Sequence, residues 1–236
     1  MNLDLPLAGW GSHLLTKFVR QIEFYSAAFS DRIFPAFDTI ESESEAHMNR
    51  LYQELGRMPY DDSIDMSDVA EWAQEQGVEY YESLSGVRQS IIGIALAGLY
   101  HLLEQQIGFF LRKEVLDSWE VNEMSTIPTK ELSDRLASRG IVVPDLPSWP
   151  RIDQLRLIAN AIKHGEGRSV EQLRTIRPDL FEEPQFRGDS MFASIAVPVL
   201  LPLAGEDFFP TTDDFSTYVE AARGFWSELL ARYFAA

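Results

Sequence analysis

From Ser85 to Leu116 the chain sets Ile91, Ile92, Ala95, Leu96, Leu99, Leu102, Leu103, Ile107, Phe110 and Leu111 at steps of three and four. This is helical spacing, and it is apolar enough to bury more than one side of the helix, so the segment needs helical neighbours and reads as the spine of a bundle. Gly86, Gly93, Gly98 and Gly108 lie along it. Each weakens a helix by up to about 1 kcal/mol, and close approach of packed neighbours is the expected compensation.

The same period near 3.6 recurs through most of the sequence and strict alternation is scarce, so the fold class is all-α. A first helix is expected from about Ser12, as N-cap, to Phe34 before Pro35, and a second from about Asp38 to Leu55. Met58 to Ser63 reads as a turn, with a helix capped by Ser67 or Asp68 running on through Glu82. A short helix over Thr129–Arg139 is stopped by Gly140, and Ile141-Val-Val-Pro reads as one short extended segment. Residues 165 to 190 are rich in Gly, Pro and charge and read as a long loop with a short helix around Val170 to Thr175. Ala193 to Leu201 reads as an edge strand or buried extended stretch, since it carries prolines. Thr211 to Asp214 can cap a last helix to Phe234 that buries Phe215, Tyr218, Val219, Ala222, Phe225, Trp226, Leu229 and Leu230. The expected organisation is an acidic N-terminal helical region at 1–82 beside a bundle at 83–236.

The net charge is −17, and residues 1 to 82 carry 16 acids against 5 bases, whereas residues 151 to 178 carry 3 acids against 6 bases. A polyanion would be repelled by the molecule as a whole and would have to bind locally. There is no cysteine, which excludes disulfides and thiolate metal sites. The N-terminus lacks the basic start and unbroken apolar core of a secretory signal, and the apolar runs 91–103 and 193–204 fall short of a membrane span. The expectation is a cytoplasmic protein without a membrane partner.

The basic zone contains the chemistry. In Leu155-Arg-Leu-Ile-Ala-Asn-Ala-Ile-Lys-His164-Gly-Glu-Gly, the side chains of Arg156, Asn160, Lys163 and His164 fall within an arc of about 100° on a helical wheel. Ile152, Leu155, Ile158, Ala159 and Ile162 form a separate apolar face. Gly165 is placed to end the helix at His164. His101 and Glu104 stand three apart in the apolar spine, and Glu104 needs a partner, for which Arg156 or His164 is a candidate; a partly exposed polar seam is the other reading. His13 and His47 have no ligand-like companions and read as surface residues.

A long helix, a short helix and loop, a polar-striped helix ending in Asn-x-x-Lys-His-Gly, and a closing aromatic helix together resemble the HEPN superfamily, over roughly residues 85 to 234. Members typically carry an Arg-polar-x-x-x-His motif, and active ones are metal-independent endoribonucleases acting as dimers in toxin–antitoxin, phage-defence and RNA-processing systems. The pattern maps onto Ala159-Asn160-Ala161-Ile162-Lys163-His164, with Ala159 where the arginine is expected. Lys163, one turn on, or Arg156, three residues before, is placed to supply the missing charge.

The resemblance implies His164, Asn160 and Lys163 as catalytic residues, RNA as substrate, a homodimer, and no metal or cofactor; Arg156, Arg168 and Glu104 are the accompanying binding candidates. His164 would exchange a proton with the 2′-hydroxyl or the leaving 5′-oxygen, because imidazole titrates near neutrality. The other reading is a catalytically silent bundle that binds a protein partner, as an antitoxin, immunity factor or regulatory subunit. No phosphate loop, nucleophile elbow or His-Glu-x-x-His pattern is present.

Overall fold

The longest element of the computed structural model is α3, a helix of 45 residues from Met66 to Phe110, about 68 Å long. The structure describes residues 9–57, 66–121, 127–183, 187 and 198–235. Around α3 stand α1 (Trp10–Ala28), α2 (Ile40–Gly56), α4 (Pro128–Ala137), α5 (Trp149–His164), α6 (Arg168–Ile176) and α7 (Thr212–Ala235). Among the described residues there is no strand. The all-α bundle is the observed fold.

α3 continues where a break between Glu82 and Ser85 is expected, so the division at residue 82 falls inside one helix. Nothing in Ser83-Leu84-Ser85-Gly86 removes a backbone donor, and α2 folds back along the first half of α3. There Ser44 Oγ donates to the Gly77 carbonyl at 2.6 Å, and His47 stacks on Tyr80. α1 starts at Trp10, ahead of the expected Ser12 cap, and Gly9 before it makes no side-chain cap bond. Trp10 gives that first turn tertiary support by stacking on His13 and donating to Glu114 Oε1 at 2.6 Å. At its other end helical backbone continues through a π turn at Phe29–Ile33 and a 3₁₀ turn at Phe34–Phe37. Ile141-Val-Val-Pro is extended at Val142, as expected, but is no strand: Val143–Asp145 forms a 3₁₀ turn, with Ile141 and Val143 buried. The turn at 58–63 and most of the apolar stretch 193–201 lie outside the described residues.

The second half of α3 joins α1, α5 and α7 in a four-helix core, α1 and α5 each packing against both α3 and α7. Leu96, Leu99, Leu103 and Ile107 of α3 are fully buried, and so are Phe215, Phe225, Trp226, Leu229 and Leu230 of α7. By length and composition α3 is apolar enough to cross a membrane, and these residues of it are covered by the bundle. The glycines of α3 admit side chains: Gly93 faces Ile162 of α5, and Gly98 faces Tyr25 of α1, whose hydroxyl donates to the Ala95 carbonyl at 2.9 Å.

One polar side chain is buried at the centre. Gln106 accepts from Trp226 Nε1 at 2.6 Å and donates to the Phe18 carbonyl at 3.1 Å and to Gln21 Oε1 at 3.0 Å. It therefore ties α3 to α1 and α7. Gln106→Ala leaves the buried indole N–H without a partner, which costs about 2–3 kcal/mol. Thermal unfolding should show this as a fall of roughly 5–10 °C, and Gln106→Leu combined with Trp226→Phe should cost less than the two single changes added together.

Candidate functional site

α5 begins where Ser148 donates through its amide and hydroxyl to Glu228 of α7, at 3.0 and 2.7 Å. This fixes the rotation of the helix about its axis. Leu155, Ile158, Ala159 and Ile162 then face the core at 5 % exposure or less. The remaining arc faces solvent and carries the expected stripe: Arg156 and Asn160 half-buried, Lys163 and His164 exposed. Lys163, unlike Ala159, is on that solvent side.

The helix closes directly after His164. Gly165 takes φ +67° and its amide donates to the Ala161 carbonyl at 2.8 Å, so the terminal bond comes from the backbone and not from the imidazole. A side chain at 165 would also meet the Val199 carbonyl at 2.8 Å. Glu166 holds that neighbouring segment in place: its amide donates to the Val199 carbonyl at 2.6 Å, its carboxylate accepts from the Val199 amide at 2.8 Å, and Arg174 pairs with it at 3.0 Å. His164 thus sits beside a pinned loop on which Leu200 and Leu201 are exposed.

The side chains of Asn160, Lys163, His164 and Arg168 enter no hydrogen bond or ion pair among the described residues. Arg156 differs, for its Nε pairs with Asp153 Oδ1 at 2.8 Å. Glu104 is partnered neither by Arg156 nor by His164. Its carboxylate lies 3.6 Å from His101 Nδ1, with a side chain 22 % exposed, which is the partly exposed seam. The basic zone is also less basic than its composition: Arg174 pairs with Glu166, while Arg177 bridges Asp179 and Asp214 at 2.6 and 2.7 Å. His13 stays on the surface and His47 is half-buried on Tyr80. No cluster of His, Asp and Glu able to hold a metal ion occurs among the described residues.

Tyr100 feels charges from both helices, which the sequence does not signal because a tyrosine in an apolar run reads as core. It is 5 % exposed, and its phenol is pushed up to about 12, first by burial and then by the negative charge of Glu104, with Arg156 acting the other way. The charges of Glu104 on α3 and Arg156 on α5 therefore act in opposite directions on one buried hydroxyl.

Compared with known proteins, the chain matches no family model, and no curated protein or solved structure is significantly similar to it.

The raised phenol of Tyr100 fixes a pH dependence. An unfolded tyrosine ionises near pH 10, so its stabilising contribution is whole below that and is lost as pH rises toward about 12. Tyr100→Phe should flatten the loss of stability across this window, read as melting temperature against pH.

Proposed function

We propose that this chain is an HEPN-like effector that cleaves RNA without a metal ion, in a toxin–antitoxin or phage-defence setting. The observation that carries the reading is the shared solvent face of Asn160, Lys163 and His164 at the closed end of α5, with their polar groups not engaged elsewhere among the described residues. Ala159 is 1 % exposed, so the cationic role falls to Lys163. A lysine ammonium serves there as a point charge, without the two-pronged grip of a guanidinium.

In this mechanism the 2′-oxygen attacks the adjacent phosphorus as His164 of one protomer takes its proton. The bond to the 5′-oxygen breaks, and the histidine of the second protomer delivers a proton to it, leaving a cyclic phosphate and a 5′-hydroxyl. One imidazole cannot serve both sides of an in-line displacement, which is why two stripes across a two-fold axis are required. Lys163 stabilises the charge gathering on the phosphate oxygens, and Asn160 orients the histidine or the substrate.

A second reading, a silent module that binds a basic protein partner, is favoured by the pairing of Arg156 with Asp153 and by the acidic face of Glu71, Glu75, Glu79 and Glu82 on α3. RNA turnover separates the two. With EDTA present the purified protein should cleave RNA, and His164→Ala should lower the rate by roughly 10²-fold or more. Undiminished cleavage by His164→Ala, or loss of cleavage on chelation, removes the catalytic reading.

A further inference from the structure

At the C-terminal end of α3 an open groove of ≈ 500 Å³ is lined by His101, Glu104, Gln105, Phe109, Arg112 and Lys113, together with Pro128 of α4. None of these residues belongs to the stripe on α5. Lys17 of α1 stands beside this lining, its ammonium 3.8 Å from the centre of the Phe109 ring. Arg112 and Lys113 lie in the π-helical turn Leu111–Val115, which is closed by Leu116 N donating to the Leu111 carbonyl at 2.9 Å. Both are exposed. The i+5 spacing of a π turn alters the register of the side chains it carries, and such turns recur at functional sites.

Three cations thus gather in a molecule of net charge −17, and none of the three is in an ion pair with a described acid. Among the described residues the Arg112 guanidinium donates to the Gly108 carbonyl, at 3.2 Å. Of the two nearest acids along the chain, Glu114 accepts from Trp10, and Glu104, which lines the groove, lies 3.6 Å from His101 Nδ1. From His101 to Arg112 the groove follows the helix for about 16 Å, and it offers charge for a backbone beside an aromatic ring and a histidine for bases. Glu104 in its lining stands one turn from Tyr100, on whose buried phenol the charge of Arg156 of α5 also acts.

We propose that this groove is a binding track for single-stranded RNA, with Lys17, Arg112 and Lys113 holding successive phosphates and leading the strand toward the stripe of α5. The identity of the ligand rests on the ribonuclease reading; the groove itself does not. Its residues bind and position the strand and take no part in bond breaking.

The test measures equilibrium binding of a short fluorescent oligouridylate from about 50 to 200 mM salt. It is made in the His164→Ala background, so that no cleavage intervenes. Lys17→Gln, Arg112→Gln and Lys113→Gln together should weaken binding at least tenfold at the low-salt end and reduce the slope of log affinity against log salt by about 2, near 0.7 for each phosphate of a single strand that is no longer neutralised. Lys113→Arg alone should retain the wild-type slope, and Arg57→Gln, at the end of the remote α2, should change neither quantity. Circular dichroism identifies any variant that loses its helices, and the Lys113→Gln single change then serves in its place, with an expected slope change of about 0.7.

Unchanged affinity and slope in the triple variant overturn the track, whether or not the wild-type protein cleaves RNA. The same holds if an oligoglutamate of equal charge binds the groove as tightly as the RNA, or if the His164→Ala protein with its groove intact binds no RNA. Conversely, RNA binding abolished with the groove cations while His164→Ala cleaves normally overturns the catalytic assignment and leaves the track standing.

Discussion

The arrangement of the bundle depends on Gln106. A buried amide costs stability unless its donors and acceptor are met, and this one is met by an indole, a main-chain carbonyl and a second amide on two different helices. Leucines around it tolerate small axial slips, because dispersion has no direction. Hydrogen bonds of 2.6 to 3.1 Å do not. Gln106 accordingly sets how far α1 and α7 stand along α3, and the aromatic contacts of Trp226 with Phe18, Phe110 and Phe225 form in that register.

With α3 and α7 placed, α5 has little freedom left. Glu228 of α7 accepts from Ser148 at its start, and Tyr218 of α7 lies between Arg177 and Gln154, within 3.0 and 3.4 Å. Arg177 in turn holds Asp214, which completes a reciprocal cap with Thr211 at the start of α7. The face of α5 that meets neither α3 nor α7 is the one that carries Asn160, Lys163 and His164. Its chemistry is displayed because the rest of the helix circumference is committed to the core.

Much of this is written in periodicity. The apolar positions of α5 and α7 are the buried ones, and Gly140 and Gly165 stand at the ends of α4 and α5 with positive φ. What periodicity does not encode is continuity and partnership. Serines and a glycine at 83 to 86 look like a break but only weaken a helix that α2 supports from outside. Ser12 looks like a cap, yet the contact of Trp10 with Glu114, 104 residues away, carries the helix past it. Ile141-Val-Val-Pro has β-branched residues in succession, but Pro144 and the adjoining turn draw it into a 3₁₀ coil. The surroundings of Glu104 are legible only in part: His101 is its neighbour on the helix, whereas the charge of Arg156 reaches Tyr100 only once α5 lies against α3. The cationic groove needs Lys17 from α1 beside Phe109 of α3, a juxtaposition that no local pattern carries.

Net charge and local charge act over different distances, which reconciles an acidic molecule with the anionic ligand proposed for the groove. The acids of the α2–α3 arm, such as Glu79, stand about 30 residues from Phe109 along one helix, or roughly 45 Å. At physiological ionic strength the screening length is about 8 Å. Several screening lengths therefore separate the acidic arm from Lys17, Arg112 and Lys113, and a phosphate in contact with these three is governed by them. A long or rigid polyanion that must lie along the arm as well still meets its repulsion. For the proposed track, this charge distribution favours a short flexible strand over a duplex that would have to lie along the acidic arm as well.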